Sequence, residues 1–240
     1  MKKTLMIIFA VCFLMTSAFA AEVYIKQNIH TDAFSMMGRN QPAKDQVNHI
    51  WLGENRMAMH GEEQSIIIDL DKKVMDMIQH QNKTYVEMTL PLDIDKYWPA
   101  QMSQMFQNMT VSVSPTGETQ KVGQWNCKGY DVTMNMMMME MKLKVWASSD
   151  VPFDWKSYNE KMMPQMTQAM MRLGEDAVEE FSKIDGYQIK TEMSMNIGGA
   201  AMKTTSEVVE ITKKSAPAGT YSVPAGYEKK DMFSMQDMQR

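Results

Sequence analysis

Thirty of the 240 residues are methionine, and two kinds of chemistry follow from a side chain used that often. The thioether sulfur is a neutral, soft ligand suited to Cu(I) and Ag(I). The unbranched side chain is also polarisable and adaptable, so a surface lined with it moulds to apolar partners of varied shape. Both are binding functions. Met102, Met105 and Met109 recur at three- and four-residue spacing after Tyr97 and Trp98, and Met162, Met166 and Met170 recur at four, with Met163 and Met171 alongside. Such spacing puts each set on one helix face. Ordinary core packing would use some of these positions, but methionine specifies a core poorly, so its repetition suits a face that repacks around different guests. Trp98, Met102, Met105, Met109, Met162, Met166 and Met170 are the candidate lining of an apolar ligand cavity.

The run Met134 to Met141 is strand-like and carries the alternative. Met134, Met136 and Met138 share one face of a strand, and Met137, Met139 and Met141 share the other. Glu140, Lys142 and Lys144 have the parity of the first set, so that face turns towards solvent at its end. Clustered thioethers there are the candidate soft-metal ligands, or a sink for oxidants through sulfoxide formation. No His or Cys nearby completes a familiar ligand set.

Other chemistry is sparse. His30, His49, His60 and His80 are scattered, with no HExxH or i,i+4 pairing, and read as strand-surface or turn residues. No G-x-S-x-G elbow or glycine-rich phosphate loop appears, and Gly198-Gly199 is a hairpin signal. Asp93, Asp95, Glu179 and Glu180 read as helix-start or solvent-face charges. The expectation is a protein that is not an enzyme and carries no cofactor.

The first twenty residues read as a secretory signal peptide: Lys2 and Lys3, the apolar run Leu5 to Met15, then Ser17-Ala18-Phe19-Ala20 before a cut at Ala21. The run is shorter than the roughly 20 residues of a membrane span, and no other stretch approaches that length. An exported periplasmic protein is expected. Cleavage would leave a net charge of −6, against −4 for the whole chain, which argues against a nucleic-acid partner. Cys127 would be the sole remaining cysteine, so no internal disulfide can form; a small buried hydrophobe is its bland reading.

These residues must be held by strands and two helical insertions. Strand signals fall at Val23–Ile29, Gln46–Leu52, Arg56–His60, Ser65–Asp69, Val74–Ile78 and Thr84–Met88, separated by polar turns. Asp93 to Met109 is a helical run. Strands resume over Thr110–Ser114, Lys128–Met138 and Met139–Ala147. A helix follows from an Asp154 N-cap to about Arg172, interrupted by Pro164, and a short one covers Glu175–Ile184. Gly186–Ile197, Ala201–Thr212 and Thr220–Val223 complete the strands. The sum is an α+β fold: an antiparallel sheet of about ten strands with helices inserted at two places. No linker is evident, so residues 21–240 are expected to form one domain.

Several stretches carry a resemblance: Lys83-Thr84-Tyr85-Val86-Glu87, Thr116-Gly117-Glu118-Thr119-Gln120-Lys121-Val122-Gly123 through Trp125-Asn126-Cys127-Lys128-Gly129-Tyr130, Val145-Trp146-Ala147-Ser148, and Pro224-Ala225-Gly226-Tyr227-Glu228. Through them the chain resembles the superfamily of periplasmic lipoprotein carriers (LolA-type) and, within it, an uncharacterised exported family. That resemblance implies a strongly curved antiparallel half-barrel, helices over its concave face and an apolar cavity for acyl chains. The chain departs from the true carriers in its excess of methionine. The function expected is non-enzymatic binding of a lipid or another apolar molecule, as carrier, sensor or scavenger. The alternatives are a soft-metal protein and a module that docks an envelope protein on its Met-rich surface.

Overall fold

Runs of β-branched and methionine side chains bounded by polar turns make strands here, and most pair with their sequence neighbours. The computed structural model describes residues 22–36, 39–98, 109–136, 139–160, 175–197 and 200–232. Its strands are β1 (Val23–Thr31), β2 (Phe34–Met36), β3 (Arg39–Gln41), β4 (Lys44–Leu52), β5 (Arg56–His60), β6 (Gln64–Asp69), β7 (Val74–Gln79), β8 (Thr84–Thr89), β9 (Thr110–Val122), β10 (Trp125–Met136), β11 (Met139–Ser148), β12 (Tyr187–Ile197), β13 (Ala200–Lys213) and β14 (Glu228–Lys230). The helices are α1 (Ile94–Tyr97), α2 (155–160) and α3 (Glu175–Ser182).

Twelve strands form one curved, open sheet in the order β14-β8-β7-β6-β5-β4-β1-β13-β12-β11-β10-β9, while β2 and β3 form a separate hairpin. The expectation of about ten antiparallel strands is corrected in two ways. The sheet is larger, and it is mixed, because β14 runs parallel to β8. Thr220–Val223 is a turn rather than a strand. Thr220 N donates to Pro217 O at 3.2 Å and Ser222 N to Gly219 O at 3.1 Å. β9 also runs on past Ser114. Lys128 faces Thr119 but Tyr130 faces Pro115, so β9 absorbs a bulge opposite Gly129. A Cβ on Gly129 would lie 2.7 Å from Thr116 Oγ1 and 3.0 Å from the Trp146 ring, and its absence lets those side chains close over the bulge.

Register places the core. Ile25, Ile50, Met59, Ile66, Met77 and Val86 lie opposite one another across β1 and β4 to β8, and Val23, Leu52, Met57, Ile68, Met75 and Met88 form the next row. These two rows dominate the largest buried cluster, against which Trp98, Val151, Phe153 and Tyr158 pack. Fully burying each isoleucine or methionine contributes about 1.5–3 kcal/mol. Tyr97 of α1 is in the same cluster. A second cluster joins Val113, Tyr130, Val132, Met134 and Val145 beneath Phe181 and Ile184, the latter just past α3. The opposite face of β5 to β8 is also apolar: Ala58, Ile67 and Ile78 are covered by Tyr221, Val223 and Tyr227. The segment 214–230 therefore straps the second face before ending in β14.

Asp154 caps α2 as expected, its Oδ1 accepting from Ser157 N at 3.0 Å. The remainder of both long helical runs, 99–108 and 161–174, lies outside the described residues.

Candidate functional site

Of the seven residues expected to line an apolar cavity, two fall within the described structure. Trp98 follows α1 and packs, half-buried, on the largest cluster. Met109 precedes β9 and packs, half-buried, on the second cluster. The structure thus sets them on two different apolar clusters and does not bring them together. Met102, Met105, Met162, Met166 and Met170 lie outside the described residues. Among the candidate metal ligands, Met134 is buried in β10 within the second cluster, Met136 is two residues along the same strand, and Met138 lies outside the described residues.

Strand register assembles a different set of methionines. Met134 faces Met141, Met141 faces Met195, and Met195 faces Met202. One methionine from each of four adjacent strands thus falls in a single transverse row. The next row inward is mixed: Val132, Leu143, Met193 and Thr204. No spacing along the chain announces this row, because β11 and β12 are separated by nearly forty residues and their partnership is a tertiary fact.

The histidines stand on strands or in a turn, as read from the sequence, but three of the four, His49, His60 and His80, are also brought together in space, which the sequence does not show. His49 and His60 are cross-strand neighbours in β4 and β5. Tyr227 Oη and His80 Nδ1 are 2.8 Å apart, His80 Nε2 and Ser65 Oγ 2.7 Å, Ser65 Oγ and His60 Nδ1 3.1 Å, and His60 Nε2 and Thr220 O 3.0 Å. One arrangement of protons satisfies the whole chain. Thr220 O can only accept, so His60 donates from Nε2 and, while neutral, accepts from Ser65; Ser65 then accepts from His80, which accepts from Tyr227. Burial, and repulsion from the neighbouring His60 ring whenever that ring carries a proton, hold the His80 pKa below its usual value, which favours a neutral His80. Ser65 has no exposed surface, so its hydroxyl serves as a link between rings, out of reach of a substrate. The chain ties the strap to the sheet at Thr220 and Tyr227. Glu22 ties it again: it accepts from Ala216 N and from Arg56 Nη2, both at 2.7 Å, and the Arg56 guanidinium lies 4.0 Å from the Tyr221 ring centre.

Among the described residues, no group of three or more His, Cys, Asp or Glu side chains could hold a metal ion. Cys127 is buried, and burial pushes its thiol pKa up. The described concavities are open and polar-rimmed. One, of about 380 Å³, lies between Glu22, Arg56 and residues 215–222 of the strap. Another, of about 440 Å³, is bordered by His30, Asp45, Glu207 and Val209. His30 contacts Asp45 at 2.7 Å and Asp32 at 3.3 Å; these carboxylates, Asp45 foremost, raise its pKa.

A family model described as "Domain of unknown function (DUF4412)" matches residues 36–227, from the last residue of β2 to the residue before β14. No curated protein matches the sequence. Among solved structures, the chain is similar to a DUF1329 family protein from Desulfovibrio piger ATCC 29098, at 8% identity and a TM-score of 0.32, over 84% of this chain and 89% of that one. That likeness is too loose to carry an argument.

Proposed function

This chain belongs to the DUF4412 family, and from that premise we propose that it is an exported, non-enzymatic protein that holds a lipid or another apolar molecule. The observation that carries this reading is the composition of one sheet face. Met57, Met59, Met75, Met77 and Met88 interleave with Ile66, Ile68 and Val86 across β5 to β8. Trp98, Phe153 and Tyr158, from the ends of helical segments, pack upon that face. A face built of adaptable side chains under short helical covers can part and re-form around a guest. Each methylene of an acyl chain buried there would contribute about 0.8 kcal/mol, so retention needs no specific polar contact. The lipoprotein-carrier-like reading of the sequence points the same way, and its signal-peptide-like start supports a periplasmic place of work.

The test is native mass spectrometry of protein isolated from a periplasmic extract without detergent. The mature chain should begin at Ala21 and carry an adduct of lipid mass. Trp98→Asp should lose it while Trp98→Phe keeps it, with melting curves showing both variants folded. Bare protein that also takes up nothing from phospholipid vesicles would remove the proposal.

A further inference from the structure

We propose that the transverse row Met134, Met141, Met195 and Met202 is a thioether site for a soft monovalent cation, Cu(I) or Ag(I). The row is made by register. Adjacent strands lie about 4.8 Å apart, and side chains directly opposite one another have Cβ atoms about 4.5–5.5 Å apart on the same face. Each methionine sulfur lies two bonds beyond Cβ and is positioned by rotation about Cα–Cβ and Cβ–Cγ, enough for the sulfurs of three neighbouring strands to converge above the middle one.

The donors determine which ion fits. A row of neutral thioethers offers no charge to offset a dication and no hard oxygen, which disfavours Ca²⁺, Mg²⁺ and Zn²⁺ and leaves soft monovalent ions. The surroundings agree. Val111 flanks the row beyond Met134, and Val132 and Leu143 lie one row inward, so the described strand residues beside Met134 and Met141 on this face are apolar; the Glu180 carboxylate of α3 is engaged with the β9 backbone at Val113 N, 2.7 Å away. Glu140 and Lys142 alternate with Met141 along β11 and so project from the opposite face, where they pair with each other at 3.0 Å.

Exposure grades along the row. Met134 is buried, whereas Met141, Met195 and Met202 are half-buried. An ion could therefore enter at the β12–β13 end and be held towards β10. An apolar floor for lipid would need no sulfur here: the adjacent row does the same packing with valine, leucine and threonine among its members. The cation site stands independently of the lipid reading, because it depends on sulfur and not on apolar area.

That difference sets the experiment. Protein carrying Cys127→Ala, which removes the one thiol remaining after signal cleavage, is titrated anaerobically with Cu(I) against a chromogenic Cu(I) chelator, and Ag(I) adducts are counted by native mass spectrometry. One equivalent should bind. Replacing all four row residues by leucine keeps their apolar character and should weaken binding at least about 100-fold. The same change at Met57, Met75 and Met88 should leave binding intact. Should the fourfold variant fail to fold, Met141→Leu/Met195→Leu carries the same expectation. Binding that survives the row substitutions, falls equally in the core control, or never occurs overturns the site. Lipid adducts should persist in the leucine variant, so the two readings fail separately.

Discussion

Asp76 occupies the middle of β7 with Ile67 opposite on one side and Glu87 on the other. Its Oδ1 is buried with no hydrogen-bond partner among the described residues. Burial, with Glu87 adding repulsion, raises its pKa to about 6, against a partial offset from Lys229 and Lys72. The folded state therefore binds this proton more tightly than the unfolded chain does. The group costs nothing below the unfolded value near 4, and its penalty grows as pH rises through about 6. Asp76→Asn should raise stability at pH 8 by about 1 kcal/mol, allowing for solvent screening at a half-exposed site, and should change little at pH 4. Urea melts at the two pH values check this; an equal effect at both would show that charge is not the cause. At this scale the alternation around residue 76 is plain in the sequence, but the carboxylate's environment is not. It depends on Glu87 and on Lys229, which lies 2.7 Å from Glu87 and comes from a strand with no apolar signature.

Elements announced themselves wherever their signal was local. The strands from β4 to β8 follow from alternation and polar turns, and Asp154 was legible as a cap because its side chain bonds only three residues away. Three features were not legible. β9 was expected to end at Ser114, whereas it continues through Pro115 and Gly117 by way of a bulge. β14 is three charged residues whose strand character comes wholly from the edge of β8. The methionine row needs the β11–β12 pairing. Gly186 shows how tightly one connection is built. It enters β12 at φ +123°, and a Cβ there would lie 2.4 Å from the carbonyl carbon of Ser148. Gly186→Ala adds strain in the left-handed region to a clash with backbone, which cannot swing aside. A loss of roughly 3 kcal/mol follows, measured by denaturant unfolding. A loss below about 0.5 kcal/mol, the range of an ordinary surface change, would mean that the 148–186 approach relaxes freely.

For the whole molecule, the strap over the second face is the part most open to control. Its hydrogen-bonded chain through His60 and His80 depends on where the protons sit, and burial makes His80 resist protonation in the folded state. The stability that His80 contributes is present above its unfolded value of about 6.5 and is lost as pH falls below it. Amide exchange of residues 214–230, corrected for intrinsic rate, should show weaker protection at pH 5.5 than at pH 7.5. His80→Gln should reduce that difference; an unchanged difference would place the sensitivity elsewhere.

β1 lies between β4 and β13, bonded to both along its whole length. The second strand in that pairing lies about 180 residues further along the chain. A growing or translocating polypeptide can pair β4 to β8 early, but β1 keeps one bare hydrogen-bonding edge until residue 213 has emerged. Assembly is therefore gated by the arrival of the far end, and contacts so distant in sequence make folding slow. On the export proposed above, this delay would be an advantage, because the topology itself postpones commitment to the fold until the far end of the polypeptide is available.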